Sequence, residues 1–288
     1  MDFNGKRVLV TGHNGFLGQH LIKELKKCNA DVVVLSDQSG RIDVRNWKKV
    51  RHIKDLDIIF HLAALSYIPN SFEDPRKIYE VNVLGTLNIL ELGKLNNVDK
   101  MVFTSSYVYG KPEHLPINES HPLKPNNPYS RSKLMAESIC RSYYEDFELN
   151  CIILRPFNIY GEGQRENFLI PTIIKQLKDG KIELRDPKPK RDFIHVYDVV
   201  RALLEAGSSS YNFDIFNLGY GKSYSVKEIV DKIISLHGEK LEVKFDFKPR
   251  KNEVDNTVAN IKKIQRKLGW RPEIDIDLGL FNLMKNNV

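Results

Sequence analysis

A short apolar run, Val8-Leu9-Val10, passes directly into Thr11-Gly12-His13-Asn14-Gly15-Phe16-Leu17-Gly18, and an amphipathic run from Phe16 to Lys27 follows. This order predicts a buried strand, a tight turn and a helix. The three glycines answer three steric needs. Gly12 turns the chain sharply off the strand, Gly15 has no Cβ to keep an anion from the backbone, and Gly18 brings helix and strand close together. The helix start then offers N–H groups and the positive end of its dipole to a pyrophosphate. A second apolar run, Asp31-Val32-Val33-Val34-Leu35, ends at Ser36-Asp37, with Asp37 19 positions after Gly18. A carboxylate there accepts both hydroxyls of an adenosine ribose and repels a 2′-phosphate. The whole pattern is that of a dinucleotide site and points to NAD rather than NADP.

The chain has 288 residues, enough for one large domain or two smaller ones. Its 44 Lys and Arg against 37 Asp and Glu give a formal charge of +7. Such a surplus suits anionic ligands. The basic residues are scattered, so no nucleic-acid partner is expected. The three cysteines, Cys28, Cys140 and Cys151, lie far apart with no C-x-x-C spacing, which argues for a reducing compartment. The first strand begins too early for a signal peptide, and no apolar run reaches membrane-spanning length. The expectation is a cytoplasmic protein with no membrane partner and no metal.

Strand-like runs at 7–11, 31–36, 57–62, 100–105 and 151–156 alternate with helical runs at 16–28, 75–96, 129–147 and 196–207. Alternation of this kind predicts an α/β fold of the Rossmann type, a doubly wound parallel sheet covered on both faces. Beyond about residue 160 the pattern changes to loops rich in Gly, Pro and charge, with helical stretches near 169–178, 225–237 and 260–268. We assign 1–160 to a dinucleotide-binding domain, with 191–218 returning to it. Residues 161–288 then form mainly a smaller C-terminal substrate-binding lobe over the carboxyl edge of the sheet, where ligands of such folds bind.

The strongest chemical signal is Tyr129-Ser130-Arg131-Ser132-Lys133. Residues four apart on a helix share a face. An ammonium beside a phenol favours the phenolate and would bring Tyr129 into range as an acid–base group. Upstream, Thr104-Ser105-Ser106-Tyr107-Val108-Tyr109-Gly110 ends a buried strand at the same sheet edge. A serine hydroxyl there could donate to a substrate oxygen and share the proton with Tyr129.

Together these segments resemble the extended short-chain dehydrogenase/reductases, specifically the NAD-dependent epimerase/dehydratase family acting on nucleotide sugars. Further matching segments are His61-Leu62-Ala63-Ala64, Asn82-Val83-Leu84-Gly85-Thr86, Arg155-Pro156-Phe157-Asn158-Ile159-Tyr160-Gly161, Arg191-Asp192-Phe193-Ile194-His195-Val196 and Leu268-Gly269-Trp270-Arg271-Pro272. The resemblance implies catalytic roles for Ser105, Tyr129 and Lys133. It implies cofactor contacts from Gly12, Asn14, Gly15, Phe16, Leu17, Gly18, Asp37, Leu62, Ala63, Ala64, Tyr129 and Lys133, with Asp43 and Val44 near the adenine. Ser66, Ser105, Ser106, Asn158, Asn167, Arg191 and Arg250 fall on the substrate side, the arginines and Asn158 at a diphosphate. It also implies a homodimer through helices 75–96 and 129–147.

Family dehydratases that make 4-keto-6-deoxy sugars usually carry an acid where Tyr107 stands, and this chain has none there. A 4-epimerase needs only the Ser/Tyr/Lys set and tightly held NAD, and is the favoured reading. A 4-keto-sugar reductase or dehydratase of the GDP-type branch remains the alternative. A non-catalytic nucleotide sensor on the same fold is a more distant one.

Overall fold

The computed structural model describes residues 3–38, 40–248 and 252–287; Arg250 lies outside them, as does the side chain of Asp37. The strands are β1 (Arg7–Thr11), β2 (Asp31–Val34), β3 (Ser36–Asp37), β4 (Gly40–Arg41), β5 (Ile58–His61), β6 (Lys100–Thr104), β7 (Cys151–Pro156), β8 (Asn158–Tyr160), β9 (Lys181–Leu184), β10 (Lys190–His195), β11 (Phe213–Leu218), β12 (Ser223–Ser225) and β13 (Glu242–Phe245). The helices are α1 (Phe16–Lys27), α2 (Trp47–Val50), α3 (Ile68–Glu73), α4 (Pro75–Tyr79), α5 (Gly85–Asn96), α6 (Pro128–Phe147), α7 (Leu169–Leu177), α8 (Val196–Ser208), α9 (Val226–His237), α10 (Lys262–Leu268) and α11 (Ile276–Asn287).

The main sheet runs β11-β7-β6-β5-β1-β2, with every pairing parallel. Successive side chains of a strand point to opposite faces, and here both faces are buried. Val8, Val10, Phe60, Val102, Leu154 and Phe216 pack with Leu21 and Leu25 of α1 and Val199 and Leu203 of α8. Leu9, Ile59, Met101, Phe103 and Ile153 pack with Ile89 and Leu92 of α5 and Ala136 and Cys140 of α6. Each fully buried aliphatic side chain contributes roughly 1.5–3 kcal/mol, so these two cores hold the sheet rigid and fix the positions of its loop ends.

Four features differ from the sequence reading. The run at 31–36 breaks at Leu35, and Ser36–Asp37 forms a short antiparallel pair with Gly40–Arg41. The helical run at 75–96 is interrupted by a π-helical turn at Glu80–Leu84. β11 is a sixth strand of the main sheet, paired along its length with β7. The sequence had placed 260–268 with the second lobe; instead Ile264 of α10 and the following Trp270 join the core beneath β11.

The smaller lobe combines the sheet β12-β10-β8, the pair β13-β9 and helices α7, α9 and α11. Its core is built from Ile170, Ile173, Ile229, Ile233, Leu280 and neighbours. Residues 190–195 thus belong to the small sheet, and the chain returns to the main one through α8 and β11. Helix α9 starts at a capping box in which Ser225 and Glu228 exchange side-chain and backbone hydrogen bonds.

Candidate active site

The carboxyl ends of β1, β5 and β6 lie side by side along one rim of the main sheet. At Gly12 the backbone takes φ +73°, and a Cβ there would lie 2.8 Å from the Ala63 nitrogen. At Gly18 a Cβ would lie 2.3 Å from the Gly12 carbonyl oxygen, so that helix and loop touch as expected. A Cβ at Gly15 would meet only that same oxygen, at 3.1 Å. Gly15 is also the N-cap of α1 and supplies no side-chain cap, so the first-turn amides face an incoming anion.

A buried hydrogen-bond chain fixes this rim. Thr86 has one hydroxyl proton and gives it to the Asn82 carbonyl at 2.6 Å. The 3.0 Å contact between Thr86 Oγ1 and His61 Nε2 must therefore be donated by the imidazole. His61 Nδ1 then accepts from Thr11 Oγ1 at 2.7 Å, and Thr11 Oγ1 accepts from the Ala63 amide at 3.1 Å. The imidazole is a neutral tautomer, and burial agrees by lowering its pKa to about 3. One histidine thereby ties the glycine loop, the Leu62-Ala63-Ala64 segment and α5 together.

Asn82, inside the π turn, extends the chain to α6. It accepts from the Leu65 amide at 2.9 Å and donates to Ser132 Oγ at 2.9 Å, and Ser132 donates to the Tyr129 carbonyl at 2.7 Å. The extra residue of a π turn swings one side chain out of helical register, and here that side chain is Asn82.

Tyr129, Lys133 and Glu137 follow one another on a single face of α6, whose start is capped by Asn127. Tyr129 is half-buried and Lys133 is 2 % exposed. Burial lowers the Lys133 pKa to about 7, and its Nζ sits 4.1 Å from the centroid of the Phe103 ring. Burial raises the Tyr129 phenol, and a hydrogen bond from Ser106 pulls it back. The expected lowering of the phenol by Lys133 is absent from this arrangement. The ammonium lies one turn deeper, against Phe103, and acts on His61 instead.

The serines also differ from expectation. Ser105, expected beside Tyr129, is 2 % exposed and donates to Glu137 Oε1. The next residue, Ser106, is half-buried. Strand alternation past Thr104 sends Ser105 toward Glu137 of α6. Glu137 is held in turn by Arg155, through Nε at 2.9 Å and Nη2 at 2.5 Å. Neither Glu137 nor Arg155 was singled out from sequence as a member of the site.

Of the other expected cofactor residues, Leu17 and Leu62 pack against the core. Phe16 stacks edge-on with His20, and a Cβ at Gly161 would lie 3.5 Å from the Phe16 ring. Asn14 is exposed and its carbonyl accepts from Gln19. Ala63 and Ala64 are half-buried. Asp43 is exposed and paired with Arg45 at 2.8 Å, which holds its carboxyl below the usual range. Val44 is turned inward and would contact a Cβ at Gly85 at 2.6 Å, so only its backbone is available to a ligand.

On the substrate side, Arg191 donates to the Val254 carbonyl at 2.6 Å and pairs with Glu253. Its neighbour Asp192 is fully buried and accepts from the amides of Tyr220, Gly221 and Ala259 at 2.7 to 2.9 Å. Burial raises that carboxyl to about 6. Asn158 donates to the Asp192 carbonyl at 3.3 Å. Three segments thus converge on Asp192, which the sequence reading gave no role. Ser66 and Asn167 are both exposed, and the Tyr67–Phe168 ring pair joins their two loops at 6.2 Å. Tyr107 is fixed by its hydroxyl to the Gly110 carbonyl at 2.6 Å and packs on Phe157.

The model of the NAD-dependent epimerase/dehydratase family matches residues 8–219. The chain belongs to that family. A Methanocaldococcus jannaschii protein provisionally named a UDP-glucose 4-epimerase is 38% identical, over 97% of this chain and 99% of that one. The GDP-6-deoxy-D-mannose reductase of Pseudomonas aeruginosa is 29% identical, over 96% and 95%. The solved structure of MoeE5 in complex with UDP-glucose and NAD superposes with a TM-score of 0.90 at 31% identity, covering 97% of both chains. The fold is therefore the Rossmann-type fold of this family, whose dinucleotide is NAD. The glycine loop fits such a group: Gly15 leaves the approach open, and the uncapped α1 start offers its amides.

Proposed function

We propose that the protein is an NAD-dependent nucleotide-sugar 4-epimerase acting on a UDP-hexose. What supports this reading is the linkage of Tyr129 and Lys133 of α6 to the glycine-loop end of the main sheet through Ser132, Asn82 and His61, in a chain similar throughout to a protein solved with UDP-glucose and NAD. Tyr129 takes the proton of the sugar's C4 hydroxyl as a general base and returns it as a general acid. NAD, when bound, would supply the acceptor and then the donor for the C4 hydride. Lys133, with a pKa near 7, gains its charge when anionic groups enter and holds the nicotinamide ribose. Gly12, Gly15, Gly18 and the α1 amides hold the pyrophosphate, with Asp37, Asp43 and the 62–64 segment at the adenosine end. Arg191, with Asn158 and Arg250, takes the substrate diphosphate, because a guanidinium fork suits two phosphate oxygens.

Elimination of water across C5–C6 needs a carboxyl near those carbons. Tyr107 stands there with its proton committed to Gly110, which disfavours a 4,6-dehydratase. The similarity to the Pseudomonas reductase keeps a 4-keto-sugar reductase as the competing reading. The test is a panel of UDP-, GDP-, CDP- and dTDP-hexoses incubated without added cofactor. Formation of a C4 epimer from a UDP-hexose is expected. Turnover only of a 4-keto sugar, and only with added NAD(P)H, overturns the epimerase reading.

We also infer a homodimer. Leu84, Leu95, Met135 and Phe147 lie on the π turn, α5 and α6, each 43 to 50 % exposed, and apolar groups gathered on one face mark an association surface. Among the described residues no helix is long and apolar enough to cross a membrane. Three free thiols support placing the protein in the cytoplasm.

A further inference from the structure

We propose that Asn126 and Asn252 form a clasp between the two lobes, a pair of positioning residues that sets the span from Arg191 at the substrate diphosphate to Tyr129 at the sugar. The two amides bond reciprocally: Asn126 Nδ2 donates to the Asn252 carbonyl at 2.9 Å, and Asn252 Nδ2 donates to the Asn126 carbonyl at 3.1 Å. The network fixes which way each amide points. A carbonyl only accepts, so Asn126 turns its NH2 to Asn252 and keeps its Oδ1 for Asn127 Nδ2, at 3.0 Å. Asn127 Oδ1 is then left for the Ser130 amide, which only donates, at 2.9 Å. One directed relay thus runs from the Asn252 carbonyl to the first turn of α6, and Tyr129 lies inside that turn.

Beyond Asn252 the chain is laid on the smaller lobe. Glu253 pairs with Arg191, and the Val254 carbonyl accepts from Arg191 Nη1 at 2.6 Å. Lys190 of β10 donates its amide to the Asp255 carbonyl at 2.8 Å and accepts from the Thr257 amide at 3.2 Å. The residue that clasps α6 is therefore the immediate neighbour of the residue that pairs with Arg191. Asn252 takes φ +58°, a left-handed conformation that Gly and Asn adopt with least strain. Glycine would satisfy that backbone but has no amide to give. An exposed hydrogen bond adds little to stability, but two in a closed ring fix separation and direction. A substrate held by its diphosphate presents C4 to Tyr129 only as accurately as the two lobes are registered, and a misplacement of about 1 Å can cost on the order of 10²-fold in rate.

The inference rests on the epimerase reading for the roles of Arg191 and Tyr129. Asn126→Ala, Asn252→Gly and the double variant are compared with wild type on UDP-glucose at saturating NAD. Asn252→Gly keeps the backbone and removes the amide, so it should hold KM within about twofold while lowering kcat about five- to tenfold. The double variant should fall no further than Asn126→Ala alone, because both changes open one clasp. Hydrogen exchange of the ligand-free protein, read by mass spectrometry, is the second measurement. Asn252→Gly should speed exchange across 129–133 of α6, which residue 252 reaches only through the relay. A rise in KM with kcat unchanged, additive losses in the double variant, or unmoved exchange in α6 would each overturn the clasp. Absence of turnover by wild type on every nucleotide sugar would instead remove the epimerase reading, and the exchange rates would then decide the clasp by themselves.

Discussion

The Nζ of Lys133 lies 4.1 Å from the centre of the Phe103 ring, and the lysine is 2 % exposed. A cation there is kept out of water by an apolar wall, and its pKa falls to about 7 from an ordinary 10.5. The unfolded chain binds this proton below pH 10.5, whereas the folded chain binds it only below about 7. Stability therefore falls as pH drops through that window and is recovered as pH rises. Lys133→Met should stabilise the cofactor-free protein at neutral pH by a few kcal/mol, raise its melting temperature and flatten its alkaline pH dependence. The same substitution should weaken NAD binding and turnover. Melting curves across the alkaline range check both signs.

Gly15 and Gly18 should separate cofactor binding from folding. Gly15→Ala adds a methyl that meets only the Gly12 oxygen, at 3.1 Å, and otherwise stands in the path of the pyrophosphate. It should fold and lose about tenfold or more in NAD affinity, or roughly 1.4 kcal/mol. Gly18→Ala places its methyl 2.3 Å from the same backbone oxygen and should destabilise the protein itself. Calorimetric NAD titration and thermal melting distinguish the two.

Arg155→Met should cost about 3–5 kcal/mol, because it leaves the Glu137 carboxylate buried without its cation. The double substitution Arg155→Met with Glu137→Leu should recover much of that loss. Denaturant unfolding of the three variants gives the coupling between the residues, and equal losses for single and double variants would contradict the packing described.

His61 should make the protein acid-sensitive. Its folded pKa is about 3 against an ordinary 6.5, so its contribution is complete above pH 6.5 and is lost as pH falls toward 3, by about 1.4 kcal/mol per unit. Asp192, raised from 3.8 to about 6, acts in the opposite direction between those two values. The difference between wild type and His61→Gln isolates the histidine: the variant should show a shallower loss of denaturation free energy on acidification.

The main elements were legible because their signals are local. The glycine spacing and the apolar run before it announce β1 and α1, and Tyr129 with Lys133 announces the face of α6. β11 was missed because Phe213-Asp214-Ile215-Phe216-Asn217-Leu218 mixes apolar residues with an acid and an amide. Those two are tolerated inside only because Lys263 and Lys267 reach Asp214, and Tyr109 and Ile117 meet Asn217. Such partners are distant in the chain and leave no spacing to read. The same holds for Asn82, Glu137 and Asp192, each of which acts through contacts with remote segments.

The central claim is that Tyr129 moves the sugar's C4 proton in a cleft that already holds NAD. The most direct measurement is the rate of C4 epimerisation of UDP-glucose by Tyr129→Phe against wild type, without added cofactor and at matched NAD occupancy. The account predicts a fall of about 10²–10⁴-fold with NAD still bound. Equal rates in the two proteins would contradict it.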